Sequence, residues 1–182
     1  MGYSGGVVPS MRYSMPRRLG KVVFLGQLAG AHMALPLELS RHGGRHGWRK
    51  GASRPSWANL TGLVPLISGA AFVSWAVAGH YAAATDKSWA IKRGVEPEYL
   101  LTDGTYRFSR NPLYVGGTAI WVGWAVLLGS VPVAAGLVIL MGIYRAGIGL
   151  EERTLEQHWG AEWLAYAGRV PRWLSLAGGL RQ

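Results

Sequence analysis

Residues 113–144 read LYVGGTAIWVGWAVLLGSVPVAAGLVILMGIY, which is 32 residues without a charged side chain. An α-helix needs only about 20 apolar residues to cross a hydrocarbon core of roughly 30 Å, so this run is too long for one crossing. Residues 129–132, GSVP, have the glycine and proline that are typical of a turn. The run therefore predicts a tight hairpin of two membrane helices, and the second helix leads through Arg145 to the adjacent carboxylates Glu151 and Glu152.

Two further apolar runs precede the hairpin. Residues 63–84 contain no charged side chain, and residues 22–39 contain only Glu38. Arg17 and Arg18 before the first run also suggest a twin-arginine export signal, but the run is long for a signal core and lacks a convincing cleavage site. We therefore expect an all-α integral membrane protein with about four transmembrane helices and an amphipathic C-terminal tail. Residues 1–84 would hold the first two membrane helices and a basic loop, and residues 85–182 a second unit.

The composition agrees with a membrane protein. Hydrophobic residues make up 49% of the chain and charged residues 15%, and the net charge is +10. The charged fraction is well below the quarter or so that is usual for soluble domains. Basic residues lie between the apolar runs, which favours attraction to anionic lipid headgroups over binding of nucleic acid. Their distribution places the termini and residues 85–112 in the cytoplasm by the positive-inside rule.

The residue types also exclude several kinds of site. The chain has no cysteine, which excludes disulfides, zinc–thiolate sites, iron–sulfur clusters and a cysteine nucleophile. His42 and His46 have a spacing found in metal sites, but their loop is rich in glycine and arginine and has no nearby acid. We therefore expect a solvated basic loop there and no metal site.

The acidic residues indicate one polar site. Four of the nine fall within residues 151–162, directly after the hairpin. Adjacent carboxylates repel each other, so they need cations nearby. The candidate cations are Arg107, Arg110, Arg145, Arg169 and Arg172. The pattern favours a polar pocket at the membrane boundary, and a solvated helix end with snorkelling arginines is the alternative.

Residues 110–117, RNPLYVGG, predict the start of a helix next to these charged residues. Pro112 suits the first turn of a helix, where its missing N–H is not needed. The N-terminus of such a helix favours an anion, for example a ligand carboxylate. Gly116 and Gly117 allow a neighbouring helix or a ligand to approach the backbone closely.

Several motif blocks in this half of the chain resemble one known superfamily. Residues 103–107 (DGTYR) and 110–116 (RNPLYVG) look like the GxYRxxRHPxYxG signature of the isoprenylcysteine carboxyl methyltransferases and phospholipid methyltransferases. Residues 151–155 (EERTL) resemble its EExxL block, residues 158–166 (HWGAEWLAY) its FGxEYxxY block, and residues 169–171 its RVP block. The blocks occur in the family's order across about residues 95–175.

The resemblance implies a helical membrane enzyme that binds S-adenosylmethionine with the last hairpin, the segment before it and the C-terminal tail. The residues implied to line the cofactor are Glu98, Tyr99, Leu100, Leu101, Tyr106, Arg110, Asn111, Pro112, Leu113, Tyr114 and Glu151. Glu151 is suited to the ammonium group or the ribose hydroxyls. The family's usual histidine is Asn111 here, and the substrate-binding arginine of the prenylcysteine enzymes corresponds to Gly147, so that nearby Arg145 is a candidate substitute.

The sequence suggests residues for the transfer step as well. Displacement at a sulfonium needs alignment and exclusion of water more than a strong base. A carboxylate acceptor would be held by Arg145 or Arg169, whereas an amine acceptor would need a base, for which Glu152 is the candidate. Arg145, Gly149, Glu152 and Glu156 share one stripe at helical spacing, so Arg145 and Glu152 are predicted to face one cavity.

Two other functions are compatible with the sequence. Sterol reductases of the same broad superfamily have a similar YGxxWxxY…VP tail and would use a nicotinamide cofactor. A small transporter or assembly factor without enzymatic activity would bind neither cofactor. We expect membrane lipids and a lipophilic or small methyl acceptor as partners, with no nucleic acid and no obligate protein partner. The acceptor stays open among a prenylcysteine carboxylate, a phospholipid amine, another lipid and a small thiol.

Overall fold

The computed structural model describes residues 17–42, 56–83 and 100–174. Within these ranges the chain is helical and contains no β-strand. The α-helices are α1 (Arg17–Ala29), α2 (Leu35–His42), α3 (Leu63–Ala83), α4 (Pro112–Leu128), α5 (Val131–Trp159) and α6 (Ala161–Arg169). A π-helical turn, Gly30–Ala34, connects α1 directly to α2, and short 3₁₀ helices, Trp57–Gly62 and Gly104–Arg107, precede α3 and α4. The prediction of an all-α fold is confirmed.

Three helical stretches are long and apolar enough to cross a membrane: Val22–His42, Trp57–Ala82 and Val131–Trp159. On α5, the large side chains of Val138, Ile139 and Ile143 are exposed. Exposed aliphatic side chains in such number suit contact with lipid better than contact with water. The chain is therefore an integral membrane protein. Helix α4 is apolar but has only 17 residues, about 25 Å at 1.5 Å per residue, so a fourth crossing stays a prediction.

The predicted hairpin between α4 and α5 is confirmed. Gly129 ends α4 in the left-handed conformation, with φ 57° and ψ 36°, which glycine adopts without steric cost. Ser130 is extended, and Pro132 lies in the first turn of α5, where a proline is tolerated. Pro112 opens α4 in the same way, as the sequence predicted. Helix α5 continues unbroken to Trp159, so Glu151 and Glu152 lie within it.

Helices α3 and α4 cross closely because small residues face each other. A Cβ atom added to Gly69 would lie 2.7 Å from the carbonyl oxygen of Gly116. Backbones that approach this closely are the usual product of small residues at a membrane helix contact. Beside the contact, Val73 and Val77 of α3 pack against Ile120 of α4 in one buried cluster. This packing fixes α4, whose N-terminus carries the candidate site.

Candidate functional site

The segment before α4 and the segment after α6 lie side by side. The backbone N–H of Arg110 donates to the carbonyl oxygen of Pro171 at 3.0 Å. The hydroxyl of Ser109 and the side-chain amide of Asn111 both donate to the carbonyl oxygen of Arg172, at 3.2 and 3.1 Å. Two of the motif blocks, separated by about 60 residues in the chain, therefore meet at the N-terminal end of α4.

Glu152 of α5 joins these two segments. Its side chain is buried, and its carboxylate accepts hydrogen bonds from the amide of Asn111 at 3.2 Å and from Nε of Arg172 at 3.0 Å. Nε of Arg110, which makes no hydrogen bond, lies 3.6 Å from the same carboxylate. The hydrogen bond and the negative charge of Glu152 raise the pKa of Arg172. A carboxylate surrounded by these donors suits an anchor between segments better than a proton acceptor.

Helix α6 contacts residues 106–110 at two points. The hydroxyl of Tyr166 donates to the carbonyl oxygen of Tyr106 at 2.9 Å, and burial is the main cause that raises the pKa of Tyr166, so it remains a donor. The ring of Trp163 lies 5.6 Å from the guanidinium carbon of Arg110, within cation–π range. The hydroxyl of Tyr106 is 2.7 Å from Nε2 of His80 on α3. Tyr106 is thus held by both α3 and α6, and Arg110 by α6.

Glu151 has different surroundings from Glu152. Its side chain is exposed, and it accepts one hydrogen bond, from the hydroxyl of Tyr114 in the first turns of α4, at 3.1 Å. In the described part of the chain no basic side chain forms an ion pair with Glu151. Successive residues of an α-helix point about 100° apart, so one carboxylate faces the protein and the other its surface. Among the described residues, the carboxylate beside Tyr114 therefore has no cationic partner.

Other residues implied for the cofactor lie around this point. Pro112 is buried as the first residue of α4, and Leu113 packs against the cluster formed by Val73, Val77 and Ile120. Leu100 and Leu101 are half-buried in the segment that leads to Asp103. Glu98 and Tyr99 lie outside the described residues. The structure therefore brings Tyr106, Arg110, Asn111, Tyr114 and Glu151 to one end of the α4–α5 hairpin.

The structure does not bring Arg145 or Arg169 to this cluster. Both side chains are exposed, and Nε of Arg169 donates to the carbonyl oxygen of Ala165 in its own helix. The buried stripe of α5 consists of Tyr144, Ile148 and Glu152. Arg145 lies beside that stripe and is exposed, so the described residues do not enclose it in a cavity with Glu152. A contact of either arginine with an acceptor stays a prediction.

Three contributors to the cluster were not predicted from the sequence. Ser109 and Tyr166 were not assigned to the site, and Arg172 was noted only as a nearby cation. Arg172 directly follows the RVP block, and Tyr166 closes the block before it, so their place next to two motifs was the available signal. Ser109 contributes the hydrogen bond to Arg172, but no comparable feature of the sequence pointed to it.

The chain is similar in sequence to known methyltransferases. Protein-S-isoprenylcysteine O-methyltransferase B from Arabidopsis thaliana is 36% identical to the chain over 81 residues, which are 43% of the chain and 41% of that relative. The match thus spans well under half of the relative's length. No solved structure is significantly similar to the chain. The profile of the phospholipid methyltransferase family matches residues 59–162, which is more than half of the chain and includes α3, α4 and α5. The chain therefore belongs to the phospholipid methyltransferase family.

Proposed function

We propose that this chain transfers a methyl group from S-adenosylmethionine to a lipophilic acceptor reached from the membrane. Family membership supports the reaction class. The single observation that carries the site is the exposed carboxylate of Glu151, bonded to Tyr114 at the point where the motif blocks converge. A carboxylate with no cationic partner among the described residues, at the edge of a membrane helix bundle, suits a cationic ligand.

The groups present fit S-adenosylmethionine. Its sulfonium and ammonium are cations, which the carboxylate of Glu151 can attract. Its own carboxylate is an anion, and in the described part of the chain the first turn of α4 has no side-chain cap. The side-chain NH2 of Asn111 donates to Glu152 and to the carbonyl oxygen of Arg172. The uncapped N–H groups of a helix N-terminus favour such an anion. The charge pattern of the ligand thus matches two neighbouring features of the chain.

Bound S-adenosylmethionine supplies an activated methyl group, so the protein has to align the acceptor and exclude water. In this chain Glu151 and the start of α4 bind the donor. Glu152, with Arg110, Asn111 and Arg172, keeps the C-terminal segment against residues 109–111. That segment lies against the N-terminal end of α4 and limits access of water from that side. The charge distribution of the sequence supports a site that faces the cytoplasm.

The geometry also bears on the acceptor. Glu152, the candidate base, already accepts hydrogen bonds from Asn111 and Arg172. An acceptor that loses no proton, such as a carboxylate or a thiolate, therefore suits the site better than an ammonium. The name of the plant relative refers to isoprenylcysteine, a lipophilic group with a carboxylate, and its similarity supports the same class of acceptor here. Exposed Arg145 is the candidate to hold that carboxylate.

Two measurements test the proposal on purified protein in detergent or nanodiscs. Isothermal titration calorimetry with S-adenosylmethionine is expected to show saturable binding, and NADPH is expected to show none. Incubation with S-adenosylmethionine labelled in its methyl group and a total lipid extract is expected to label one lipid class. Binding of NADPH alone would support the reductase alternative, and binding of neither would support a protein without enzymatic activity.

A further inference from the structure

A histidine lies buried in the first membrane helix, far in sequence from the candidate site. His32 has 7% of its surface exposed and occupies the π-helical turn Gly30–Ala34. Its Nε2 atom is 2.7 Å from the hydroxyl of Tyr144 on α5. Ionisable residues within membrane helices are rare and are usually there for function, and π-helical turns are frequent at functional sites.

The hydrogen bonds of His32 define which group donates. Its Nδ1 atom lies 3.0 Å from the carbonyl oxygen of Leu28, which can only accept, so Nδ1 carries the hydrogen. In the neutral ring Nε2 is then an acceptor, and the hydroxyl of Tyr144 donates to it. This bond fixes the direction of the hydroxyl of Tyr144 and, through it, the ring.

The π-helical turn is itself held by α4. The indole N–H of Trp121 donates to the carbonyl oxygen of Ala31 at 3.1 Å, and that of Trp124 donates to the carbonyl oxygen of His32 at 2.9 Å. The absence of a side chain at Gly117 makes room, because a Cβ there would lie 2.5 Å from Nε2 of His32 and 2.8 Å from the hydroxyl of Tyr144. The imidazole is therefore packed against the backbone of α4 in one defined position.

The contacts continue from Tyr144 to the candidate site. The rings of Tyr144 and Tyr114 pack edge to face, with centroids 4.8 Å apart and an interplanar angle of 76°. Tyr114 then donates its hydroxyl to Glu151. A continuous series of contacts thus connects the first membrane helix, through one side chain each on α5 and α4, to the exposed carboxylate.

We infer that His32 is a positioning residue for the donor site, acting through Tyr144 and Tyr114 on Glu151. The inference rests on the proposed function, since it assumes that Glu151 binds S-adenosylmethionine. Glu151 is exposed and has one hydrogen bond, so the orientation of Tyr114 decides where its carboxylate stays. Loss of the imidazole releases Tyr144, which loosens Tyr114 and weakens donor binding without removing any group that touches the donor.

A purely structural role of His32 makes a different prediction, and Trp124 provides the matched control. Trp124→Phe removes a hydrogen bond to the main-chain carbonyl of His32 but leaves in place the hydrogen bonds of its imidazole and the side chains that lead to Glu151. A simple anchoring role predicts similar effects of His32→Leu and Trp124→Phe on both thermal stability and donor affinity. The positioning role predicts that only the histidine variant changes donor affinity.

The experiment measures the affinity for S-adenosylmethionine by calorimetry and thermal unfolding in detergent for four variants. His32→Leu and Tyr144→Phe are expected to weaken binding about fivefold, the value of one lost hydrogen bond. His32→Gln, whose side-chain oxygen can accept from Tyr144, is expected to restore most of the affinity. Trp124→Phe is expected to bind like the wild type, even where its unfolding temperature falls.

The outcomes separate the two proposals. Wild-type protein that does not bind S-adenosylmethionine overturns the proposed function, and the positioning role with it. If the wild type binds S-adenosylmethionine and His32→Leu binds it equally well, the positioning role alone is overturned. The same holds if Trp124→Phe loses as much affinity as His32→Leu. Should His32→Leu fail to fold, Tyr144→Phe decides the question, because it keeps the ring against Tyr114 and removes only the hydroxyl.

Discussion

Glu151 and Glu152 are neighbours in α5, yet one is exposed and the other is enclosed by Arg110, Asn111 and Arg172. The rotation of about 100° between successive helical residues produces this difference. Two identical side chains therefore differ in what they can do: Glu151 is available to a ligand, and Glu152 connects three segments of the chain. Glutamine has nearly the same shape as glutamate, so the same substitution at each position separates ligand binding from stability.

Glu151→Gln is expected to reduce the affinity for S-adenosylmethionine by about tenfold or more. The substitution removes the negative charge that attracts the cationic donor, and a charged hydrogen bond contributes roughly 1.5–3 kcal/mol. The unfolding temperature is expected to stay within about 2 °C of the wild type, because the side chain is exposed and forms no ion pair in the described part of the chain. Calorimetry and thermal unfolding in detergent measure the two quantities. Unchanged affinity would remove Glu151 from the donor site.

Glu152→Gln is expected to destabilise the fold by about 2–3 kcal/mol. The substitution leaves Arg110, whose side chain is only 15% exposed, without its counter-charge, and breaking a buried pair is costly. Denaturant unfolding in detergent measures the loss, with Glu151→Gln as the matched control. Arg172→Met is expected to cost less, since the side chain of Arg172 is 45% exposed. Equal stability of the two glutamine variants would contradict the anchoring role of Glu152.

The sequence was sufficient for the features that depend on local chemistry. Gly129 and Pro132 marked the hairpin, and Pro112 marked the start of α4, because each acts on its own backbone. The uncharged runs likewise indicated membrane helices. These features required no knowledge of how the helices pack.

The features that were missed depend on rotation and long-range packing. The stripe that was expected to place Arg145 with Glu152 has a helical period, but the buried face of α5 follows Tyr144 and Ile148 instead. Which face is buried is decided by α4 and the C-terminal segment, and the sequence of α5 does not contain that information. The bond between His32 and Tyr144 joins residues 112 positions apart, so neither residue predicts the other.

Gly69→Ala is expected to destabilise the protein by about 1–3 kcal/mol, although alanine favours helices. Its Cβ would meet the carbonyl oxygen of Gly116 at 2.7 Å, a backbone atom that cannot move without shifting α4. Gly142→Ala is the control, because a Cβ at Gly142 has no atom within 4 Å and is expected to be neutral or slightly stabilising. Thermal unfolding of both variants tests the contact between α3 and α4. A neutral Gly69→Ala would contradict the close approach.

Arg145→Gln tests the acceptor side of the reaction. If the acceptor is a carboxylate held by this exposed arginine, the substitution is expected to raise the KM for the acceptor about tenfold, which is the effect of losing a charged hydrogen bond. The affinity for S-adenosylmethionine is expected to stay unchanged, because Arg145 forms no hydrogen bond or ion pair with Glu151, Glu152 or Tyr114. Arg153→Gln, another exposed arginine of α5, is the control and is expected to leave both constants unchanged. Steady-state kinetics with the labelled lipid class measures the acceptor constant. An unaltered KM in Arg145→Gln would exclude this arginine as the acceptor contact and leave Arg169 as the remaining candidate on the sequence.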